Sequence, residues 1–291
     1  MKSKRLQLIP YLFILPNVVI FLVFVVVPAL YGFALSFTRW DVISEPVFVG
    51  VGNYISIFTS SSFWETTQRT LVYVLTVVPL TYVVSLLLAL LVDSNMRLRT
   101  LMRAFFYVPA MLSAVVIGVS WRWIFGDYFG IINYFIERYG GTPINWLTTP
   151  GWAMLVVILA SVWARAGYYM VMFLAGLQGI PEVYYEAAKI DGASRWQQFW
   201  RITLPLLKPT SLVVLVLCSI ESFKVFDLIV TLTTGGPGRA TTFLVQDIYR
   251  WAFQRGDLGY ASAMSVVLLL ILGLLTVFQF RLTGIGGDAY E

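Results

Sequence analysis

The stretch Glu186–Pro209 reads EAAKIDGASRWQQFWRITLPLLKP, and the rest of the chain is organised around it. It carries Glu186, Lys189, Asp191, Arg195, Arg201 and Lys208 between long apolar runs. A polar island in so apolar a chain has to face water. Pro181 suits the first turn of a helix, where a missing N–H costs nothing, so Pro181 to Ile190 reads as one short helix. Gly192 accepts the left-handed conformation that ends a helix. Ser194 caps a second helix, and Gln197 completes a capping box. That helix is expected to stop near Thr203, because Leu204 precedes Pro205. Neither helix approaches the ~20 residues needed to span a bilayer. Trp196, Phe199 and Trp200 fit a helix lying in lipid headgroups or one inserted into a partner's groove. The small Ala187, Ala188 and Ala193 favour close approach of another backbone. The residues themselves leave both readings open.

The 291 residues are 59% hydrophobic and only 12% charged. Soluble domains carry about 45–50% apolar and about 25% charged residues, so this is an all-α integral membrane protein. The apolar runs are continuous, whereas barrel strands would alternate. The net charge of +5 is explained by basic cytoplasmic loops, and nucleic-acid binding is not expected. With no histidine and one cysteine, Cys218, histidine-based metal sites, His triads and intrachain disulfides are excluded.

Six spans are expected. The first runs from about Ile9 to Ser36, kinked or interrupted by Pro10, Pro16 and Pro28. Thr38 to Arg69 is a polar loop with a short surface helix near Asn53 to Phe58. The second and third spans are Thr70 to Val92 and Ala104 to Phe125. An amphipathic piece, Ile131 to Tyr139, precedes the fourth span, Trp152 to Leu177. The island follows, then the fifth span, Thr210 to Leu232. A loop, Thr233 to Tyr260, contains Gly235, Gly236 and Pro237, and the sixth span is Ala261 to Phe280. The chain divides into an N-terminal helix with its following segment (1–69) and a five-span core (70–291) carrying the loop at 181–209.

An even number of spans puts both termini on one side. That side holds 11 basic residues (Lys2, Lys4, Arg5, Arg97, Arg99, Arg103, Lys189, Arg195, Arg201, Lys208, Arg281), the other 6. The positive-inside rule then places the termini and the island in the cytoplasm.

Charges within spans mark pathways or internal pairs. Arg165 lies midway along the fourth span. Glu221, Lys224 and Asp227 are three apart and fall on one side of a continuous fifth helix. They serve either a pathway or mutual neutralisation. Tyr168 and Tyr169 suit sugar recognition, but tyrosine is also common at membrane interfaces.

Glu186-Ala187-Ala188, then Asp191-Gly192-Ala193, then Phe199, Ile202, Leu204-Pro205 and Pro209 resemble the signature loop of permease subunits of bacterial ABC importers, in the carbohydrate branch that includes maltodextrin and glycerol-3-phosphate permeases. The likeness covers most of the chain. AGLQGIP at Ala175–Pro181 leads into the loop as that branch does. Ser222–Thr241 (SFKVFDLIVTLTTGGPGRAT) and Tyr260–Ser265 (YASAMS) are similar to its later helices. Phe13–Trp40 is similar to the first helix of the upstream member of a heteromeric pair.

The resemblance implies a type I importer fold in a bacterial cytoplasmic (inner) membrane. Glu186, Ala187, Ala188, Asp191, Gly192, Ala193, Ile202, Leu204 and Pro205 would form the coupling element that docks on a separate ATPase. Arg165, Tyr168, Tyr169, Glu221, Lys224 and Asp227 would line the sugar pathway. Gly235, Gly236 and Pro237 would face an extracellular solute-binding protein. The implied partners are a second permease in a heterodimer, two ATPase copies, the binding protein, membrane lipid and a sugar or sugar derivative. No cofactor is expected in this chain, which lacks the phosphate-loop pattern G-x-x-x-x-G-K-[ST]; ATP would be hydrolysed by the partner. The alternatives are a stand-alone channel or secondary transporter, which would need no such loop, and a membrane enzyme, for which no catalytic motif is present.

Overall fold

The computed structural model describes residues 5–93 and 98–283. Lys2, Lys4 and Arg97 of the charge count lie outside them. Two compact units are formed, one from Met1–Trp64 with Asp247–Leu270, the other from Glu65–Gln246 with Ile271–Glu291.

In the first unit the opening helix α1 runs from Arg5–Phe21 through a π-helical turn, Leu22–Val26, into Val27–Leu35. Three prolines therefore do not break it: the wide turn comes directly before Pro28, where a carbonyl partner is lost. A two-stranded antiparallel ribbon follows, β1 (Thr38–Arg39) and β2 (Val47–Phe48), which the sequence reading missed. Within the turn joining them, Asp41 Oδ1 accepts from Ser44 Oγ at 2.6 Å and Ser44 N at 2.8 Å. These bonds hold its carboxyl below the usual carboxylate range. Helix α2 (Gly52–Thr59) matches the expected surface helix. Its Asn53 Nδ2 donates to Ser36 O at 2.9 Å and Thr38 O at 2.8 Å, satisfying carbonyls past the end of α1.

In the second unit the long helix α3 (Ser61–Asp93) extends nine residues before the expected start at Thr70. Its first turns carry the Glu65–Arg69 pair at 2.9 Å, so Arg69 is not in a loop. The third expected span is broken: α4 (Arg99–Met111) and α5 (Ala114–Ile124) meet at 97°. Pro109 weakens the last turn of α4, Leu112 is extended, and Ser113 caps α5 by accepting from Val116 N at 3.3 Å. Then come α6 (Ile131–Arg138) and α7 (Pro150–Gln178), both as expected. After the island, which holds α8 (Val183–Ile190) and α9 (Arg195–Leu206), the fifth expected span is also broken. Helix α10 (Lys208–Phe223) stops, Lys224 to Phe226 leave helical geometry, and α11 (Asp227–Leu232) resumes. The expected loop after Thr233 contains a further helix, α12 (Leu244–Tyr249), with a π turn at Arg250–Gln254. The last helix is α13 (Leu258–Thr283), which belongs to the first unit as far as Leu270 and to the second from Ile271. Among the described residues four helices are long and apolar enough to cross a membrane, or six spans if each bent pair counts once.

Helix association in lipid lacks the ordinary hydrophobic drive and relies on close packing and hydrogen bonds. Both are visible here. A Cβ on Gly167 of α7 would collide with the Phe106 carbonyl and come within 3.0 Å of Tyr107 Cα, so α4 and α7 touch backbone to backbone. A Cβ on Gly118 of α5 would strike the Thr231 side chain on α11. Tyr73 of α3 donates to Ser161 Oγ of α7 at 2.8 Å, and its ring stacks on Phe243 at 4.5 Å.

Gly167→Ala is expected to cost about 1–3 kcal/mol, because backbone rather than a flexible side chain must move. Gly273→Ala, where a Cβ meets nothing within 4 Å, is the control. Thermal unfolding of the detergent-solubilised protein should show a lowered midpoint for the first variant alone.

Candidate functional site: an exposed loop joined to a charged cavity

The island begins as a turn, with Tyr184 N bonded to Pro181 O and Tyr185 N to Glu182 O. Helix α8 proper is Val183–Ile190, so Pro181 stands two residues ahead of it and not in its first turn. The helix closes as a Schellman motif. Ala193 N donates to Ala188 O at 2.8 Å, Gly192 N to Lys189 O at 3.1 Å, and Gly192 has φ +75°. Ala188 and Ala193, both half-buried, therefore meet across their own turn. Glu186, Ala187, Asp191 and Gly192 are exposed.

The capping box forms as expected: Ser194 Oγ accepts from Gln197 N at 3.3 Å, and Gln197 Oε1 accepts from Ser194 N at 2.8 Å. The second helix α9 (Arg195–Leu206) does not stop at Thr203. Its middle, Phe199–Thr203, is a π turn, and Leu204 stays helical before Pro205. The widened turn, in which Leu204 N reaches Phe199 O, accommodates the N–H that proline cannot supply. Ile202 and Leu204 are half-buried and Pro205 is exposed. Tyr185 OH and Thr203 Oγ1, 2.9 Å apart, tie α8 to α9. The chain then bends by 66° at Leu207 into α10. Leu207 is 0% exposed, and a Cβ on Gly176, near the end of α7, would come within 2.9 Å of it. The bend is thus seated on the helix that leads into the island.

Along that same helix lies Arg165. Its guanidinium donates to Glu221 O and to Ser222 Oγ, each at 3.2 Å. A cation at the end of α10 satisfies a carbonyl freed by the break and complements the helix dipole. Glu221 and Lys224 approach to 3.9 Å with both side chains more than half exposed, a pair worth at most about 1 kcal/mol. Asp227 lies in the first turn of α11, where a carboxylate is favoured. The three charges are therefore not on one helix face, as expected from a continuous span. They surround a break. Arg165, Glu221, Lys224 and Asp227 line a cavity of about 260 Å³ together with Pro109 and Leu112 from the α4–α5 break. An adjoining cavity of about 300 Å³ is lined by Arg165, Glu221, Tyr168 and Tyr169. Tyr168 is 46% exposed, whereas Tyr169 is 2% exposed.

The Pro109–Ser113 break went unread in the sequence. Its signal was a proline followed by a capping serine inside an apolar run. A third cavity, about 520 Å³, lies at the far end of α5 between Arg122, Trp123, Asp127 and Thr233. Thr233 opens the glycine loop. Here Gly235 is buried, Gly236 and Pro237 are half-buried, and Thr241 and Thr242 donate to Gly236 O and Gly235 O at 2.7 and 3.0 Å.

Residues 82–285 match the family described as binding-protein-dependent transport system inner membrane component. The chain belongs to this family. It is a membrane-spanning permease component of an importer, not an enzyme. It is 36% identical to the trehalose/maltose transport system permease protein MalF of Thermococcus litoralis, over 93% of this chain and 92% of that one. It is also 36% identical to the sn-glycerol-3-phosphate transport system permease protein UgpA of Brucella abortus, over 94% of each. A chain from a bacterial alginate ABC transporter, crystallised with an alginate pentasaccharide-bound periplasmic protein, superposes with TM-score 0.84 at 25% identity, covering 96% of this chain and 95% of that one.

No neighbour would obstruct a Cβ on Gly192, so Gly192→Val is expected to cost only the left-handed backbone, about 1–2 kcal/mol. Hydrogen exchange at the Ala193 amide should accelerate in Gly192→Val and much less in Gly192→Asn.

Proposed function

We propose that this chain forms half of the translocation pathway of an ATP-driven importer for a mono-, di- or oligosaccharide or a sugar derivative. The observation that carries the reading is the charged cavity at two facing helix breaks, joined through α7 to the exposed loop. The relatives support the solute class, since they are named for trehalose, maltose and glycerol phosphate, and the superposed transporter for alginate.

In this reading Arg165, Glu221, Lys224 and Asp227 present charge and hydrogen-bonding groups to the passing solute, with Tyr168 and Tyr169 lining the adjoining cavity. Unwound backbone near Val225 and Leu112 is tolerated in the membrane because it borders that polar space. The α8 loop is the coupling element. Exposed Glu186, Ala187, Asp191 and Gly192 meet the ATPase surface directly. Ala188, Ala193, Ile202, Leu204 and Pro205 keep the two short helices in register. ATP is bound and hydrolysed by a pair of ATPase subunits; the loop conveys their closure.

A second permease completes the pathway as a heterodimer. A solute-binding protein docks near Gly235, Gly236 and Pro237, beside the cavity at Arg122. Both termini and the island are cytoplasmic in a bacterial inner membrane. Residues 1–69 are an appendage to the core 70–291.

Removal of Ala187–Ala193 from the assembled transporter is expected to abolish solute uptake while the protein remains in the membrane, and Gly192→Asp or Ala187→Trp should do the same. Uptake that survives the deletion overturns the coupling role. Solute movement by the purified chain alone in liposomes would instead identify a channel or secondary transporter.

A further inference from the structure

The two short helices of the island expose different chemistry. Helix α8 presents Glu186, Ala187, Lys189 and Asp191. Helix α9 presents Trp196, 69% exposed, and Trp200, 48% exposed, four residues apart and so on one face. Their rings pack edge to face at 5.5 Å, and Phe199 stacks on Trp196 at 6.2 Å. Gln198, two residues from each tryptophan, is buried and donates to Ala193 O at 2.9 Å. Gln198 thus faces the protein, while the two tryptophans face away from it. Arg195 and Arg201 on α9, and Lys208 at the start of α10, are exposed, and none makes an ion pair among the described residues.

The 66° bend at Leu207 supplies the second, independent observation. Helix α10 follows directly, and we take it as the half of this bent pair that crosses the bilayer. With α10 near the bilayer normal, α9 lies closer to the membrane plane than to that normal. Exposed tryptophans with flanking basic residues, on a short helix running along the surface beside a span, have the chemistry of the headgroup layer. Basic side chains there favour anionic headgroups.

We propose that α9 is a lipid-facing anchor that binds anionic phospholipid through Arg195, Arg201 and Lys208, with Trp196 and Trp200 seated at the headgroup boundary. The island then has two partners on two faces: protein at α8, bilayer at α9. The anchor holds the loop at a fixed depth while its first helix is displaced. This assignment does not depend on which solute is carried, and it stands or falls separately from the coupling role of α8.

The test uses the full transporter complex in bilayers containing brominated phospholipid, which quenches tryptophan only at contact. Wild type and W196F/W200F are compared with brominated neutral lipid, brominated anionic lipid and aqueous acrylamide. The expected result is a quenched component present in wild type and absent in W196F/W200F, at least twofold larger with anionic than with neutral brominated lipid. In R195Q/R201Q/K208Q that ratio should fall to about one. A component quenched by acrylamide but not by lipid would place the rings in water and overturn the proposal. Protection from both quenchers would assign the face to the ATPase subunit and likewise overturn it. Equal quenching by the two lipids in wild type would refute anionic selectivity.

Discussion

A backbone polar group inside a bilayer must find a partner within the protein, and this chain breaks its helices where that rule is hardest to meet. Each break is answered by a nearby side chain or a rearranged turn. At Leu112 the Ser113 hydroxyl takes up the amide of Val116. Beyond Phe223 the guanidinium of Arg165 reaches across from another helix to the Glu221 carbonyl. Before Pro28 and around Pro205 the helix widens into a π turn and continues. The breaks at 109–113 and 224–226 border one cavity. Interrupting two spans near one another concentrates exposed backbone and charge in a small volume.

Close approach of helices makes this geometry possible. Gly167 lets α4 and α7 touch through their backbones, and Gly118 leaves room on α5 for the Thr231 side chain of α11. The two halves of the broken third span are thereby fixed to the helices that carry Arg165 and Asp227. Charged groups half-exposed in a cavity contribute little to stability, so the packing that surrounds them has to be sound without them.

Composition and run length were enough to identify a helical membrane protein, because nothing else tolerates such long apolar stretches. The island was legible for a local reason: Gly192, Ser194 and Gln197 act within a few residues of themselves, and the Schellman turn and capping box formed as read. Proline was misread in both directions. Pro205 was expected to end a helix and did not, because a π turn absorbs the missing bond. Pro109 passed unnoticed inside an expected continuous span, although with Ser113 it marks the α4–α5 corner locally; what the sequence did not show is the packing of α4 on α7 beside it, where Gly167 meets Phe106, 61 residues away in the chain. Glu221, Lys224 and Asp227 looked like a helical stripe, yet α10 ends at Phe223, where a side chain on a different helix takes over its carbonyls. Sequence spacing cannot reveal partners of that kind.

Helix α7 has one further property. Its 29 residues make a rod about 43 Å long at 1.5 Å per residue. Arg165 sits near the midpoint, and the island is attached at one tip. Such a rod is a lever of roughly two to one. If it tilts about its Pro150 end, a tip excursion of about 6 Å carries Arg165 only about 3 Å, close to the length of a hydrogen bond. A displacement of the island end would thereby reach Arg165 at about half its size, enough to part a guanidinium from a carbonyl 3.2 Å away.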